Sequence, residues 1–205
     1  CRTDILIIGG GAIDAGLEAE IRQLPGKVYS TYGMTETLSH IALRRLNGPD
    51  ASTLYYPFPS VRLSLSPEHT LIIDAPLVCD TILVTNDVAE INSDGSFSIL
   101  GRKDNTINTG GIKVQAEQVE DILRPWIHVP FAITSVSDAA LGEAIVLLIE
   151  NGGYTERLEE KMKELLTKYQ LPKMVFSVGT IPLTETGKIN RAGCRQLAAT
   201  YQVGR

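Results

Sequence analysis

The amino-terminal stretch passes from an apolar run through glycines into an amphipathic segment. Asp4–Ile8 is apolar after its first residue, as in a buried parallel strand, and runs into Gly9-Gly10-Gly11. Asp14 stands where an N-cap would open a helix to Arg22, Pro25-Gly26 closes it, and Lys27–Tyr32 follows as a second strand. This β-turn-α-β order predicts a parallel sheet with the glycines at the carboxyl end of its first strand.

From Val61 the period falls to two. Val61–Ser66 alternates apolar and polar, as a half-exposed antiparallel strand does, and Leu71–Ile73, Thr81–Thr85 and Ala89–Asn92 read as further short strands. Asp94-Gly95 predicts a hairpin turn into Ser96–Leu100. Beyond Gly101 helices and strands alternate again. Gln115–Leu123 reads as a helix closed by Pro125, with strands at Phe131–Val136, Glu143–Glu150 and Met174–Val178. A helix from Thr155, its N-cap, to Gln170 carries a stripe of Leu158, Met162, Leu165, Leu166 and Tyr169, with Glu159/Lys163 and Glu164/Lys168 pairs on the wet face. Arg191–Thr200 is the last predicted helix. The fold class is therefore α/β followed by α+β. A parallel β-α-β unit and a small antiparallel β subdomain occupy residues 1–103, and a small α+β domain occupies 104–205.

Composition narrows the function classes. The 205 residues are 43% hydrophobic and 21% charged, with a net charge of −5, which is ordinary globular content. The basic runs, Arg44-Arg45 and Arg102-Lys103, are only pairs, so nucleic acid is not the expected partner. No apolar stretch approaches the roughly 20 residues that insertion across a membrane requires. Three cysteines without C-x-x-C spacing argue against a zinc site or disulfide framework and point to the cytoplasm. Cys1-Arg2-Thr3-Asp4 is neither a signal peptide nor an ordinary start, and reads as the cut edge of something longer.

Several short segments carry candidate chemistry. A dinucleotide fingerprint beginning at Gly9 would need glycine where Asp14 stands, so the glycines read first as a structural turn, one whose flat backbone an aromatic ring could approach closely. Tyr32-Gly33-Met34-Thr35-Glu36 places a phenol, a hydroxyl and a carboxylate together at a strand end, with Gly33 turning the chain there. Those are groups for a base, a phosphate and Mg²⁺; the bland alternative is a capped surface turn. Thr85-Asn86-Asp87 ends an apolar strand, where the acid could take a ribose diol or simply form a turn. Arg102 suits ribose or phosphate, or simply an exposed carboxylate, and Asp104, at the boundary, suits a hinge. Thr109-Gly110-Gly111 suggests a bulge or a backbone wall beside a narrow ligand, and Pro182–Lys188 an irregular loop presenting Lys188, which by itself reads as a solvated surface residue.

In order and spacing, Gly10-Gly11-Ala12, Tyr32–Glu36, Thr85–Asp87, Gly101–Asp104, Thr109–Gly111 and Pro182–Arg191 resemble the carboxyl-terminal half of the adenylate-forming superfamily. That superfamily includes acyl-CoA synthetases, luciferases and peptide-synthetase adenylation domains. The resemblance implies that residues 1–103 are the carboxyl-terminal part of a large nucleotide-binding domain and 104–205 a mobile lid turning about Asp104. It implies ATP, Mg²⁺ and coenzyme A as ligands, and a small carboxylate as substrate. Gly10, Gly11 and Ala12 would line the adenine pocket with Tyr32 and Gly33. Thr35 would meet the phosphates, Glu36 would hold Mg²⁺, and Asp87 and Arg102 would take the ribose. Lys188 would stabilise the adenylation step, and Gly110 and Gly111 would line the pantetheine tunnel. Within the superfamily, Tyr32–His40 followed by Arg44–Gly48 resembles the o-succinylbenzoate–CoA ligases of menaquinone biosynthesis, with Ser39 and His40 as candidate substrate contacts. Departures are Asn86 for the usual glycine, and Ala116 and Gln118 for the usual proline and glutamate, with Val119-Glu120 kept. The superfamily's upstream Ser/Thr/Gly-rich phosphate loop is not among the 205 residues, so the expectation is a fragment that does not adenylate alone. Rival readings are another acyl-CoA synthetase, a carrier-loading adenylation domain, or a non-catalytic nucleotide-binding or interaction module.

Overall fold

The computed structural model describes residues 3–10, 13, 15–38 and 40–204. The chain divides into two compact units, Cys1–Leu100 and Gly101–Arg205. In the first, β1 (Ile5–Ile8) lies parallel to β2 (Lys27–Gly33), and α1 (Ala15–Ile21) connects them. Ile21 packs with Val28 and Leu46 in a small core, and Asn47 fastens the α1–β2 connection through Val28 N, Leu24 O and Gly26 O. The expected N-cap Asp14 lies outside the described residues.

The sheet is mixed rather than parallel. β3 (His40–Arg45), absent from the sequence reading, runs antiparallel to β2 and pairs in turn with β4 (Tyr56–Pro57). A 3₁₀ turn at Thr35–Thr37 and a left-handed Leu38 (φ 59°) bring the chain back on itself, a reversal that local hydrophobic period does not encode. The expected burial of β1 is also corrected. Ile5, Leu6 and Ile7 are 56, 41 and 48% exposed, because β1 is an edge strand paired only with β2 among the described residues.

A second, antiparallel sheet follows in the order β5 (Arg62–Leu65), β6 (Thr70–Asp74), β7 (Leu83–Ile91) and β8 (Phe97–Arg102). The two short strands read at Thr81–Thr85 and Ala89–Asn92 are one strand, β7. Its pairing with β6 shifts from Ile72↔Val84 to Thr70↔Val88, so two extra residues bulge from β7 around Asn86-Asp87. The polar pair interrupts the alternation without ending the strand. Asp94 shapes the β7–β8 turn by accepting from Ser96 N (3.0 Å) and Ser96 Oγ (2.6 Å), and these bonds lower its pKa. Ile41, Leu71, Ile73, Ala89 and Phe97 form the core between strands of both sheets.

The second unit contains β9 (Thr106–Thr109), β10 (Ile112–Gln115), α2 (Ala116–Leu123), β11 (Phe131–Asp138), β12 (Gly142–Glu150), α3 (Glu156–Leu165), β13 (Met174–Val178) and α4 (Arg191–Val203). β12 is its spine, antiparallel to β11, parallel to β13 and bridged to β9 at Gly142↔Thr109. Ile145, Leu147 and Ile149 pack with α2 and α3, while Ala144, Val146 and Leu148 pack with Cys194 and Ala198 of α4. Helices on both faces explain why β12 reads as an unbroken apolar run. Burial pushes the Cys194 thiol up to about 11.

Thr155 caps α3 by accepting from Leu158 N, as its sequence position predicts, but the helix stops at Leu165 instead of reaching Gln170. The Gln170 side chain accepts from both Thr167 N and Thr167 Oγ1, a local turn that replaces further helix. Tyr169 is consequently exposed and outside the stripe. Glu159 pairs with Lys163 (2.7 Å), whereas Glu164 pairs with Lys161 in place of Lys168. At the β12–α3 connection, a Cβ on Gly153 would sit 2.3 Å from Val129 Cγ2 and 2.6 Å from Ile149 Cγ1. Gly153→Ala is therefore expected to destabilise the protein by about 1–3 kcal/mol through overpacking, measured by urea unfolding; an unchanged midpoint would show that this packing yields freely. No helix among the described residues is long and apolar enough to cross a membrane.

Candidate functional site

In the first unit the structure joins two of the sequence segments directly. Tyr32, near the end of β2, donates its hydroxyl proton to Asp87 Oδ2 at 2.6 Å, although 55 residues separate them. The Tyr32 ring meets Phe97 edge-on (centroids 5.4 Å apart, 81° between planes) and lies 6.0 Å from the Tyr55 ring. Packing therefore fixes the phenol and the phenol aims the carboxylate. Asp87 sits inside β7, on the bulge, and not at a strand end; its amide donates to Thr85 Oγ1 at 3.1 Å. The bulge re-aims the side chain, which regular strand alternation would not do.

Beyond Gly33, Thr35 and Glu36 open the 3₁₀ turn as exposed residues, at the carboxyl end of β2. The buried Thr37 stabilises the turn: its Oγ1 accepts from Met34 N (3.1 Å) and donates to Met34 O (3.0 Å). Gly10, exposed with φ 96°, follows β1. Gly11, Ala12 and Ser39 lie outside the described residues. His40 begins β3, its ring 5.7 Å from that of Phe58. Tyr55, which sequence reasoning missed, bonds Ser30 Oγ at 3.0 Å and carries the Arg44 guanidinium 5.7 Å above its ring. Its contacts depend on β3, whose existence the pattern did not reveal.

The remaining candidates belong to the second unit. Arg102, at the end of β8, is 3.9 Å from Asp104, both exposed, and Asp104 lies in a 3₁₀ turn over Lys103–Asn105. Gly110 and Gly111 (φ 59° and 81°) form the two-residue turn between β9 and β10, not a bulge. Positive φ at both positions is what a type I′ hairpin requires, and glycine supplies it without strain. The turn is braced: Gly110 N donates to Leu141 O (2.8 Å), and Asn108 N donates to Glu143, whose other oxygen takes the Ser135 hydroxyl. Asp138 in turn accepts from Ala140 N and Leu141 N, and the hydrogen bond from Lys173 does most to hold its carboxyl below the ordinary range.

Lys188, expected in an irregular loop, stands exposed in a small ordered hairpin. Leu183 bridges Ile189, Thr184 N donates to Lys188 O (2.7 Å), Lys188 N donates to Thr184 Oγ1 (3.1 Å), and Asn190 N donates to Pro182 O (2.9 Å). Asn190 then caps α4 by accepting from Gly193 N.

As for metals, no group of three or more His, Cys, Asp or Glu capable of holding an ion occurs among the described residues. Mg²⁺ needs no such cage: one or two carboxylates with substrate phosphates suffice, and the exposed Glu36 is a suitable oxygen donor.

No family model matches the chain. It is 26% identical over 204 residues to a 2-succinylbenzoate–CoA ligase of Lactococcus lactis, covering 91% of this chain and 45% of that protein. Among solved structures, an acyl-CoA synthetase (AMP-forming)/AMP-acid ligase II-like protein from Dyadobacter fermentans is 33% identical, with a TM-score of 0.51, over 95% of this chain and 58% of the other. An O-succinylbenzoate coenzyme A synthetase from Bacillus subtilis, solved with ATP and magnesium, superposes with a TM-score of 0.74 at 21% identity, over 92% of this chain and 45% of its own. The chain thus spans less than half the length of the ligases that bear this name.

Proposed function

From a chain that resembles, in sequence and in fold, the carboxyl-terminal part of the adenylate-forming enzymes, we propose that it serves an ATP-dependent carboxylate–CoA ligase acting on o-succinylbenzoate. The reaction has two steps: the substrate carboxylate attacks the α-phosphate of ATP, releasing pyrophosphate, and the coenzyme A thiol then displaces AMP to give the thioester. The observation that supports the nucleotide site is the Tyr32–Asp87 contact, which unites the Tyr32–Glu36 segment with the Thr85–Asp87 segment, and the substrate rests on the similarity to 2-succinylbenzoate–CoA ligases.

Each residue has a physical task. Asp87, oriented by the Tyr32 hydroxyl, accepts hydrogen bonds from the ribose diol, and Arg102 adds to them. Gly10, Gly11 and Ala12, with Tyr32 and Gly33, would line the adenine pocket, where residues with little or no side chain let the ring approach the backbone. Thr35 donates to phosphate. Glu36 would hold Mg²⁺, which when bound neutralises phosphate charge. Lys188 would bring its ammonium to the substrate carboxylate and the α-phosphate, where the negative charge developing on the phosphoryl oxygens makes it stabilise the transition state more than the ground state. Asp104 is the hinge for residues 104–205, and Gly110 and Gly111 give pantetheine a wall without side chains.

The test is acid-dependent ATP–pyrophosphate exchange by the intact protein, with o-succinylbenzoate compared against a panel of aromatic and aliphatic acids, followed by thioester release on adding coenzyme A. Preferred exchange with o-succinylbenzoate is expected. Exchange with another acid only would refute the substrate, and no exchange with any acid would refute the activity.

A further inference from the structure

We infer that Arg191 is a positioning residue: gripped by Glu120 of α2, it holds the hairpin that presents Lys188. This rests on the proposed role of Lys188 in adenylation. Arg191 is the first residue of α4, three positions after the lysine, and its guanidinium is forked onto one carboxylate. It donates to Glu120 Oε1 at 2.5 Å and Oε2 at 2.8 Å, and to Ile133 O at 3.2 Å. Glu120 is only 2% exposed and also accepts from Ile133 N at 2.8 Å, so α2, β11 and α4 meet at one ion pair. Burial works against the arginine's charge, but the hydrogen bonds and charge of Glu120, reinforced by Glu117 at 3.6 Å, raise its pKa overall.

The geometry points to a specific consequence. From Leu183 to Lys188 the hairpin is exposed, so few apolar contacts fix its direction. What fixes its root is Ile181 and Ile189 against the α4 core, and the forked arginine immediately beyond. A planar guanidinium on a carboxylate restrains orientation as well as distance, which a lysine ammonium cannot do. The same α2 face reaches the hinge, because Asn105 Nδ2 donates to Glu117 Oε1 and Glu117 contacts Arg191. The hinge turn and the lysine hairpin are therefore referred to one pair of carboxylates within a single unit.

The test compares Arg191→Lys, Glu120→Gln and Lys188→Ala in the intact protein, measuring ATP–pyrophosphate exchange and, separately, thioester formation from supplied acyl-adenylate and coenzyme A. Arg191→Lys and Glu120→Gln are expected to lower kcat for exchange about tenfold or more, as small misplacements of a catalytic group do, and to leave the second half-reaction near its starting rate. Equal loss in both half-reactions, or no loss in exchange, would overturn the positioning role. If Lys188→Ala itself spares exchange, it is the reading of the lysine that fails. Should neither substituted protein fold, amide exchange in the unsubstituted protein decides: Thr184, Lys188 and Asn190 should open together with the first turn of α4. Exchange of the hairpin while that turn stays protected would refute the coupling.

Discussion

Lys188→Ala is expected to lower acyl-adenylate formation by at least about 100-fold while largely sparing thioester formation from supplied acyl-adenylate. The asymmetry follows from charge. In the first half-reaction the carboxylate oxygen attacks phosphorus and negative charge builds on the α-phosphoryl oxygens and the departing pyrophosphate, where an ammonium brought to them is worth several kcal/mol. In the second, negative charge develops on the carbonyl oxygen attacked by the thiol and on the departing AMP, and on the proposed turn of residues 104–205 about Asp104 the lysine no longer serves that charge. The exposed hairpin position also means that truncating the side chain removes little packing, so thermal unfolding should barely change. ATP–pyrophosphate exchange and a direct thioester assay separate the two steps; equal loss in both would give the lysine a different task.

The second large effect is on stability. Glu120→Ala would leave the Arg191 guanidinium without its principal partner and the buried Ile133 amide without an acceptor. Breaking a buried pair by removing one member costs about 3–5 kcal/mol, because the remaining charge stays desolvated. Glu117, 3.6 Å from Arg191, offsets part of this, so about 3 kcal/mol is expected, and a fall in Tm of more than about 10 °C for a unit of this size. Replacing both partners by apolar residues, Glu120→Leu with Arg191→Met, should recover most of that stability, since buried pairs are rarely net stabilising over well-packed hydrocarbon. The recovered protein should still adenylate slowly. Loss of less than about 1 kcal/mol in Glu120→Ala would mean that water or Glu117 serves the arginine fully.

Much of the architecture was legible from pattern alone. β12 announced itself as an apolar run because both its faces are covered, and Thr155 announced the start of α3 because its hydroxyl has an amide to satisfy. The β1–β2 pairing and the Asp94-Gly95 hairpin followed from runs and turn residues a few positions long. The residue types of the candidate site were legible too, since phenol, carboxylate and lysine carry their chemistry wherever they fold. β3, the bulge in β7 and the early end of α3 were not. Each depends on a partner distant in sequence, or on a side chain competing with the backbone for its hydrogen bonds.

Local sequence thus determined most of the helices and strands, where most turns fall, and which side chains carry chemistry suited to a nucleotide and a carboxylate. Only the tertiary structure decided that Tyr32 would bond Asp87, that Lys188 would stand on an ordered hairpin, and that Arg191 would be held by Glu120 across 71 residues. The reason is physical. Propensity, capping and periodicity act over a few residues, whereas a long-range hydrogen bond or buried ion pair exists only after chain closure and core packing have fixed both partners.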